Sequence, residues 1–423
     1  MLLLGFMSLR RSLALGIGLW GLVSLGHAQP LPWVDPGASL DAPVNSVEIL
    51  KRDEPLFARP GPNAPRRGSA IQGVRLPLYA STRAAGCHGR WLMVGPIAWV
   101  CEDRVRLSSD SPLAAREASQ SFSDGLPFRY HFVGRNGALG YGNLATAEET
   151  APDAELEPGF AVGVVTTAKR GGDPFGFTNK DLWIPMRDLG PARPLPFQGS
   201  ELVDGHLDVA WVVDSHADLY EKPAGSRIHG EVRPQWEQLA VLETVEKRKH
   251  RWFRIGDGRW VSDEDVRAPT PAPVPEGLAP NERWIDVDIE NQVLTAYEGE
   301  RPVFATIVST GKGKGKSIQA TPVGIHRVWV KLRSSDMDNL EDEEASRYYA
   351  IQDVPWVMFF KKGYGLHGTF WHRSFGHVRS HGCVNLTPLD AQRLFHWSSP
   401  KLPAGWNAVL PTEYDAGTLV QVR

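Results

Sequence analysis

Residues 283–311, RWIDVDIENQVLTAYEGERPVFATIVSTG, alternate between apolar and polar positions with a period of two. That period predicts three strands turning at Glu290-Asn291 and Glu298-Gly299. Ile285, Val287 and Ile289 face one way and the aspartates between them the other, the pattern of a half-buried antiparallel sheet. Only one late stretch reads as helix. Thr387 is a good N-cap, Pro388 suits the first helical position and Asp390 has capping-box spacing, so a helix starts there and buries Leu389, Leu394 and Trp397.

Upstream, a pattern recurs. GRWLMVGPIAWVCEDRVR (89–106) aligns without a gap on HRWFRIGDGRWVSDEDVR (250–267), placing Trp91 on Trp252, Gly95 on Gly256, Trp99 on Trp260 and Val105 on Val266. EPLFARPG (54–61) likewise mirrors ADLYEKPAG (217–225), and DLWIPMRDL (181–189) repeats only the closing segment. Two small β-barrels are expected, at 45–110 and 205–268, with a related or degenerate β unit at 125–198. The tryptophans read first as barrel core. APTPAPVPEGLAP (268–280) reads as an extended, stiff linker over 269–281 and marks the clearest domain boundary.

Composition agrees with a mainly β chain of several domains. The 33 prolines and 42 glycines among 423 residues imply short strands and many turns. A formal charge of −3 without a basic face gives a nucleic-acid partner no support. At the N-terminus, Leu13–Leu25 is an apolar run behind Arg10 and Arg11, followed by small residues Gly26 and Ala28. This is a signal-peptide pattern, with cleavage expected after Ala28, so residues 1–28 are read as a leader. The run is shorter than the ~20 residues a membrane span needs, so no stable membrane anchor is expected after cleavage.

Export makes the cysteines informative. A bridge between Cys87 and Cys101 would close a loop of ~15 residues and add roughly 3 kcal/mol. Cys383, in RSHGCVNL (379–386), is then left unpaired, either as a buried bystander or as a reactive thiol. A thiol becomes a nucleophile when a base takes its proton. His381, two residues away, shares its face if the segment is extended, and His367, after an apparent strand end, approaches from across the sheet. The amides around Gly382 and Cys383 offer an oxyanion site. His372 and His377 read as loop residues. Zinc is disfavoured because a second cysteine is missing and His-x-Cys is too tight a spacing. GKGKGKS (311–317) fails phosphate-loop spacing and reads as a flexible, solvated loop. DMDNLEDEE (336–344) is an acidic exposed face or loop, with a lid as the alternative.

LHG, twelve intervening residues from His367 to Ser380, and then SHGCVNL together resemble the signature of YkuD-type L,D-transpeptidases, with the strands from Trp284 and ATPVGIHRV in matching order. The resemblance covers residues 282–423. The upstream repeats resemble bacterial Src-homology-3-like domains. What the first resemblance implies is a β-sandwich or barrel catalytic domain with a short helix after the cysteine, acting on peptidoglycan stem peptides in the periplasm or cell-wall space without a cofactor or metal. It implies Cys383 as nucleophile and His367 as proton acceptor and donor. Ser380, His381 and Gly382 would orient the pair, and Arg379 and Asn385 would contact substrate. The same site would serve L,D-carboxypeptidation or protein attachment to the wall, and a non-catalytic wall-binding scaffold is the competing reading. A cell-wall ligand for the barrels is a further expectation, while the oligomeric state is left open.

Overall fold

The computed structural model describes residues 44–112, 122–256, 258–315, 317–338 and 349–423. The expected leader at 1–28 and the acidic run beyond Asp338 therefore lie outside the described residues. The protein is mostly β, and Pro388–Trp397 is the one α-helix among the described residues.

The C-terminal part is a sandwich of two sheets. Its strands are β1 (Arg283–Asp288), β2 (Val293–Glu298), β3 (Arg301–Ile307), β4 (Gly324–Arg327), β5 (Val330–Asp338), β6 (Ala350–Lys361), β7 (Tyr364–Gly368), β8 (Val384–Leu386), β9 (Trp406–Val409) and β10 (Leu419–Val422), with α1 (Pro388–Trp397) after β8. One sheet runs β3-β2-β1-β10-β4; β1 is antiparallel to β2 and parallel to β10. The other runs β9-β5-β6-β7-β8, its last pair parallel. Ile285, Val287 and Leu294 of the first sheet meet Met358, Leu366 and Val384 of the second, and α1 closes the core with Ala391, Leu394 and Phe395.

The three predicted strands are present and antiparallel, but the sheet is not half-buried. Asp286 and Asp288 are buried too, because Arg423 from the chain end lies against them at 2.9 and 3.2 Å. The proline-rich stretch helps to cover the same face: Thr270 Oγ1 donates to Asp288 Oδ2 at 2.9 Å, and Gln421 donates to the Pro273 carbonyl at 3.1 Å. It is strapped to the sandwich rather than spanning solvent.

α1 begins as its sequence predicts, with Thr387 Oγ1 accepting from the Asp390 amide behind Pro388. The Asp390 carboxylate also hydrogen-bonds with the Thr387 side chain, and it reaches beyond the cap. It accepts from Thr306 Oγ1 at 2.5 Å and the Gly199 amide at 2.9 Å, tying the helix to β3 and to the chain before it. Leu389 and Trp397 are only half-buried, and Ala391 and Phe395 take their place in the core.

The two repeated units share one pairing pattern. Ser46–Ile49 pairs with Arg75–Pro77 and Val105–Ser108, as Val209–Val212 pairs with Gln238–Ala240 and Val266–Arg267. Cys87 and Cys101 are bridged in the first.

All three upstream units pack against the sandwich. Arg66–Ala70 of the first pairs with β9 and extends its sheet, while the Trp406 ring enters that unit's own core. Gly68 and Gly95 make room for it, since a Cβ on either would come within 2.9 or 2.7 Å of the indole. The middle unit lays Tyr130 and Leu126 on Val354, Val357 and Phe370. The third presses Trp211 and Val213 onto Val293, Ile307 and Phe375.

Candidate active site

β7 and β8 are neighbours in parallel register, Leu366 opposite Val384 and His367 opposite Asn385. Leu366 and Val384 are fully buried between the sheets, so His367 and Asn385 project from the other face. Cys383, one residue before β8, emerges on that same face beside Gly365. Its diagonal relation to His367 corresponds to roughly 7 Å between Cβ atoms. Its Sγ lies 3.7 Å from the Gly363 carbonyl, to which the thiol donates. Cys383 is the free cysteine among the described residues.

His367 is held by its own strand end. Its Nδ1 lies 3.3 Å from the Gly368 carbonyl and 3.3 Å from Thr369 Oγ1. A carbonyl only accepts, so Nδ1 carries the proton and Nε2 is left with a lone pair. Trp371 stacks on the ring at 5.7 Å. Burial lowers the imidazole pKa to about 4 against the opposing pull of the Gly368 carbonyl. Burial also pushes the Cys383 thiol up, opposed by a backbone hydrogen bond at Gly365. The resting pair is therefore a neutral thiol beside a neutral base rather than a preformed ion pair.

The loop before Cys383 is a bend, not the extended segment that would put His381 and Cys383 on one face. His381 is exposed, and its ring lies nearly parallel to that of Tyr349 at 6.0 Å. Ser380 Oγ donates to the Cys383 carbonyl at 2.5 Å and accepts from the Gly382 amide at 3.1 Å. That amide is thus held within the loop. Gly382 has φ +121° and a Cβ there would meet the Tyr364 ring at 2.4 Å, so glycine is required on both counts. Arg379 is exposed and bonds through its amide to the Thr310 carbonyl at 2.9 Å.

Asn385 is buried, pairs through its backbone with Ser309, and reaches His372 with its side chain at 2.8 Å. Asn385 Nδ2 is the atom facing His372 Nε2, and His372 Nδ1 lies 3.1 Å from the Ser374 amide. Burial, then the charges of Arg379 and His367, lower its pKa to about 4. His372 lies in a loop, as its sequence predicts, and nothing in its spacing from Cys383 signals this contact. The glycine-lysine stretch is an exposed loop, as its sequence predicts, except at its buried first glycine. Gly311 bridges to Ser380, and a Cβ on Gly311 would lie 2.9 Å from Gly382 Cα. Gly311 thus serves close backbone approach behind the thiol loop.

The third unit holds the segment that leads into this loop. Arg267 Nε donates to the Gly376 carbonyl at 3.0 Å and His377 Nε2 lies 3.2 Å from Asp214 Oδ1. A neutral base with an oriented tautomer beside a thiol is equipped for nucleophilic acyl transfer.

Residues 282–422 match the family model of the L,D-transpeptidase catalytic domain, YkuD. Among solved structures, the chain is similar to the catalytic domain of the Enterococcus faecium L,D-transpeptidase at 25% identity, covering 34% of this chain and 98% of that one with a TM-score of 0.25. It is also similar to L,D-transpeptidases from Stackebrandtia nassauensis (27% identity, 34% of this chain and 57% of that one, TM-score 0.23) and Xylanimonas cellulosilytica (21%, 36% and 64%, TM-score 0.24). The chain thus spans less than two thirds of the length of the latter two. No curated protein matches the sequence. No helix among the described residues is long and apolar enough to cross a membrane. The C-terminal third of the chain, residues 282–422, is therefore an L,D-transpeptidase catalytic domain of the YkuD family.

Proposed function

We propose that the protein is a peptidoglycan L,D-transpeptidase that forms cross-links through a cysteinyl acyl-enzyme in the cell-wall space. The donor is a tetrapeptide stem, cut between the L-centre of its diamino acid and the terminal D-alanine. Cys383 Sγ bonds to the carbonyl carbon as its proton passes to His367 Nε2, and the same proton leaves on the amine of D-alanine as the C–N bond breaks. An amine of a second stem then attacks the thioester, gives a proton to His367 and expels the thiolate, which takes that proton back. The thioester conserves much of the energy of the cleaved amide, so no nucleotide is needed. Ser380 and Gly382 shape the thiol loop, Asn385 and Arg379 border it, and His381 is placed for contact with substrate rather than with the thiol.

The observation that carries this reading is the β7–β8 register. It sets His367 and Cys383 on one face, with the base's Nδ1 tied to Gly368 and its Nε2 left with a lone pair. The test is incubation of the protein with tetrapeptide muropeptides and mass analysis of the products. Dimers are expected; tripeptides alone would make the protein an L,D-carboxypeptidase, and binding without turnover a scaffold. Cys383→Ala is expected to abolish product while leaving the melting temperature unchanged, and an active Cys383→Ala protein would refute the nucleophile.

A further inference from the structure

The face that carries Cys383 does not end at the thiol. At the level of Cys383 the second sheet continues through Gly365, then Phe359, then Val330, each opposite the next in register. The Trp329 ring stacks on that of Phe359 at 6.1 Å and 23°, forming an aromatic floor. Both rings border a cavity of about 980 Å³ enclosed by three parts of the chain: the sandwich, the first repeated unit and the middle unit. Three strand spacings of about 4.8 Å put its floor roughly 14 Å from the thiol.

The chemistry of its wall is distinctive. Arg52, Arg66, Lys180 and Arg333 are balanced by Asp53, Asp181, Asp336 and Asp353. They are paired across the units, Arg52 to Asp181 at 2.7 Å and Lys180 to Asp336 at 2.7 Å. A balanced, mutually paired wall offers little to a charged ligand but many donors and acceptors to a neutral one. Among its polar atoms, Arg52 Nη1 and Asp353 Oδ2 are buried without a hydrogen-bond partner among the described residues. Asp353 is 2% exposed and already accepts from Asn179 Nδ2 at 2.7 Å through its other oxygen.

We infer that this cavity is a subsite for the glycan of the substrate, an N-acetylated amino sugar whose apolar ring face lies on Trp329 and Phe359. Its hydroxyl and acetamide groups meet the paired charges. The inference rests on the proposed wall-peptide activity, and the lengths agree with it. In a tetrapeptide stem the attacked carbonyl belongs to the third residue, so two residues and the lactyl link separate it from the sugar. At about 3.5 Å per residue-length this is a reach of roughly 10–14 Å. A size of 980 Å³ suits a disaccharide unit and greatly exceeds a lone amino acid.

The test separates sugar binding from thiol chemistry. The full chain carrying Cys383→Ala is titrated with the tetramer of N-acetylglucosamine, which is neutral and has no stem, by calorimetry and tryptophan fluorescence. Saturable binding is expected, weakened about tenfold by Trp329→Ala and measurably by Arg52→Ala, with thermal midpoints unchanged for the partly exposed Trp329. No saturable binding would overturn the inference, as would binding indifferent to Trp329→Ala. Displacement of the sugar by a sugar-free tetrapeptide that itself depends on Trp329 would also overturn it, by making the cavity a peptide site. Because this readout needs no turnover, its failure is distinct from a failure to form muropeptide dimers.

Discussion

The pH dependence of acylation follows from how His367 is buried. Its imidazole must be neutral to accept the thiol proton, and burial sets its pKa at about 4 rather than the ordinary 6.5. Because the folded value is depressed, base function is present above about pH 4 and lost as pH falls through that value. At pH 5.5 an imidazole of pKa 4 is about 97% neutral, whereas one of pKa 6.5 is about 9% neutral, a tenfold difference in available base. The assay is the rate of Cys383 acylation by a carbapenem, followed by intact mass from pH 3.5 to 9 at constant ionic strength. Acylation at pH 5.5 is expected within twofold of that at pH 7, with half the rate lost near pH 4. An acid limb centred between 6 and 7 would refute the argument, since it would mean that His367 is solvated or paired with a thiolate before substrate arrives.

Three further outcomes are expected. Burial raises the Asp390 carboxyl to about 6, so ionising it costs the folded state about 3 kcal/mol, a penalty that develops as pH rises from about 4 to above 6; Asp390→Asn should flatten that slope in urea melts, and an unchanged slope would clear Asp390. Trp406→Ala removes the ring shared by the sandwich and the first unit and should cost about 3–5 kcal/mol; a loss below about 1 kcal/mol in denaturant titrations would mean that the two cores are independent. Gly376→Ala puts a methyl 2.3 Å from Val213 Cγ1 at a φ of +85°, and should lower muropeptide turnover at least tenfold, with partial recovery when Val213→Ala is added; no recovery would mean that the third unit does not hold the loop.

Local features of this molecule were legible in the sequence and junctions were not. The strands from Trp284 to Ile307, the Thr387 cap and the bridge between Cys87 and Cys101 depend on neighbours or on a pattern repeated along the chain. His367 and Cys383 could be paired from the order of their motifs. The burial of Asp286 and Asp288 could not, because the residue that compensates them, Arg423, lies over 130 positions away. The contact of His372 is hidden for a similar reason: its partner Asn385 is on β8 while His372 lies in the loop before it, and only the return of the chain brings them together. The glycines of GKGKGKS suggested flexibility, whereas Gly311 is needed because two backbones touch, a distinction that composition does not carry.

The intrusion of Trp406 into the first repeated unit has a consequence for how this gene can be cut and recombined. A fragment beginning at residue 282 would carry an indole with its socket missing and the outer edge of β9 stripped of its partner strand. Grafting a foreign catalytic segment behind this N-terminal half would leave a hole lined by Gly68 and Gly95. The two halves are therefore expected to be inherited together, exchanging matched substitutions across the seam rather than travelling as interchangeable cassettes.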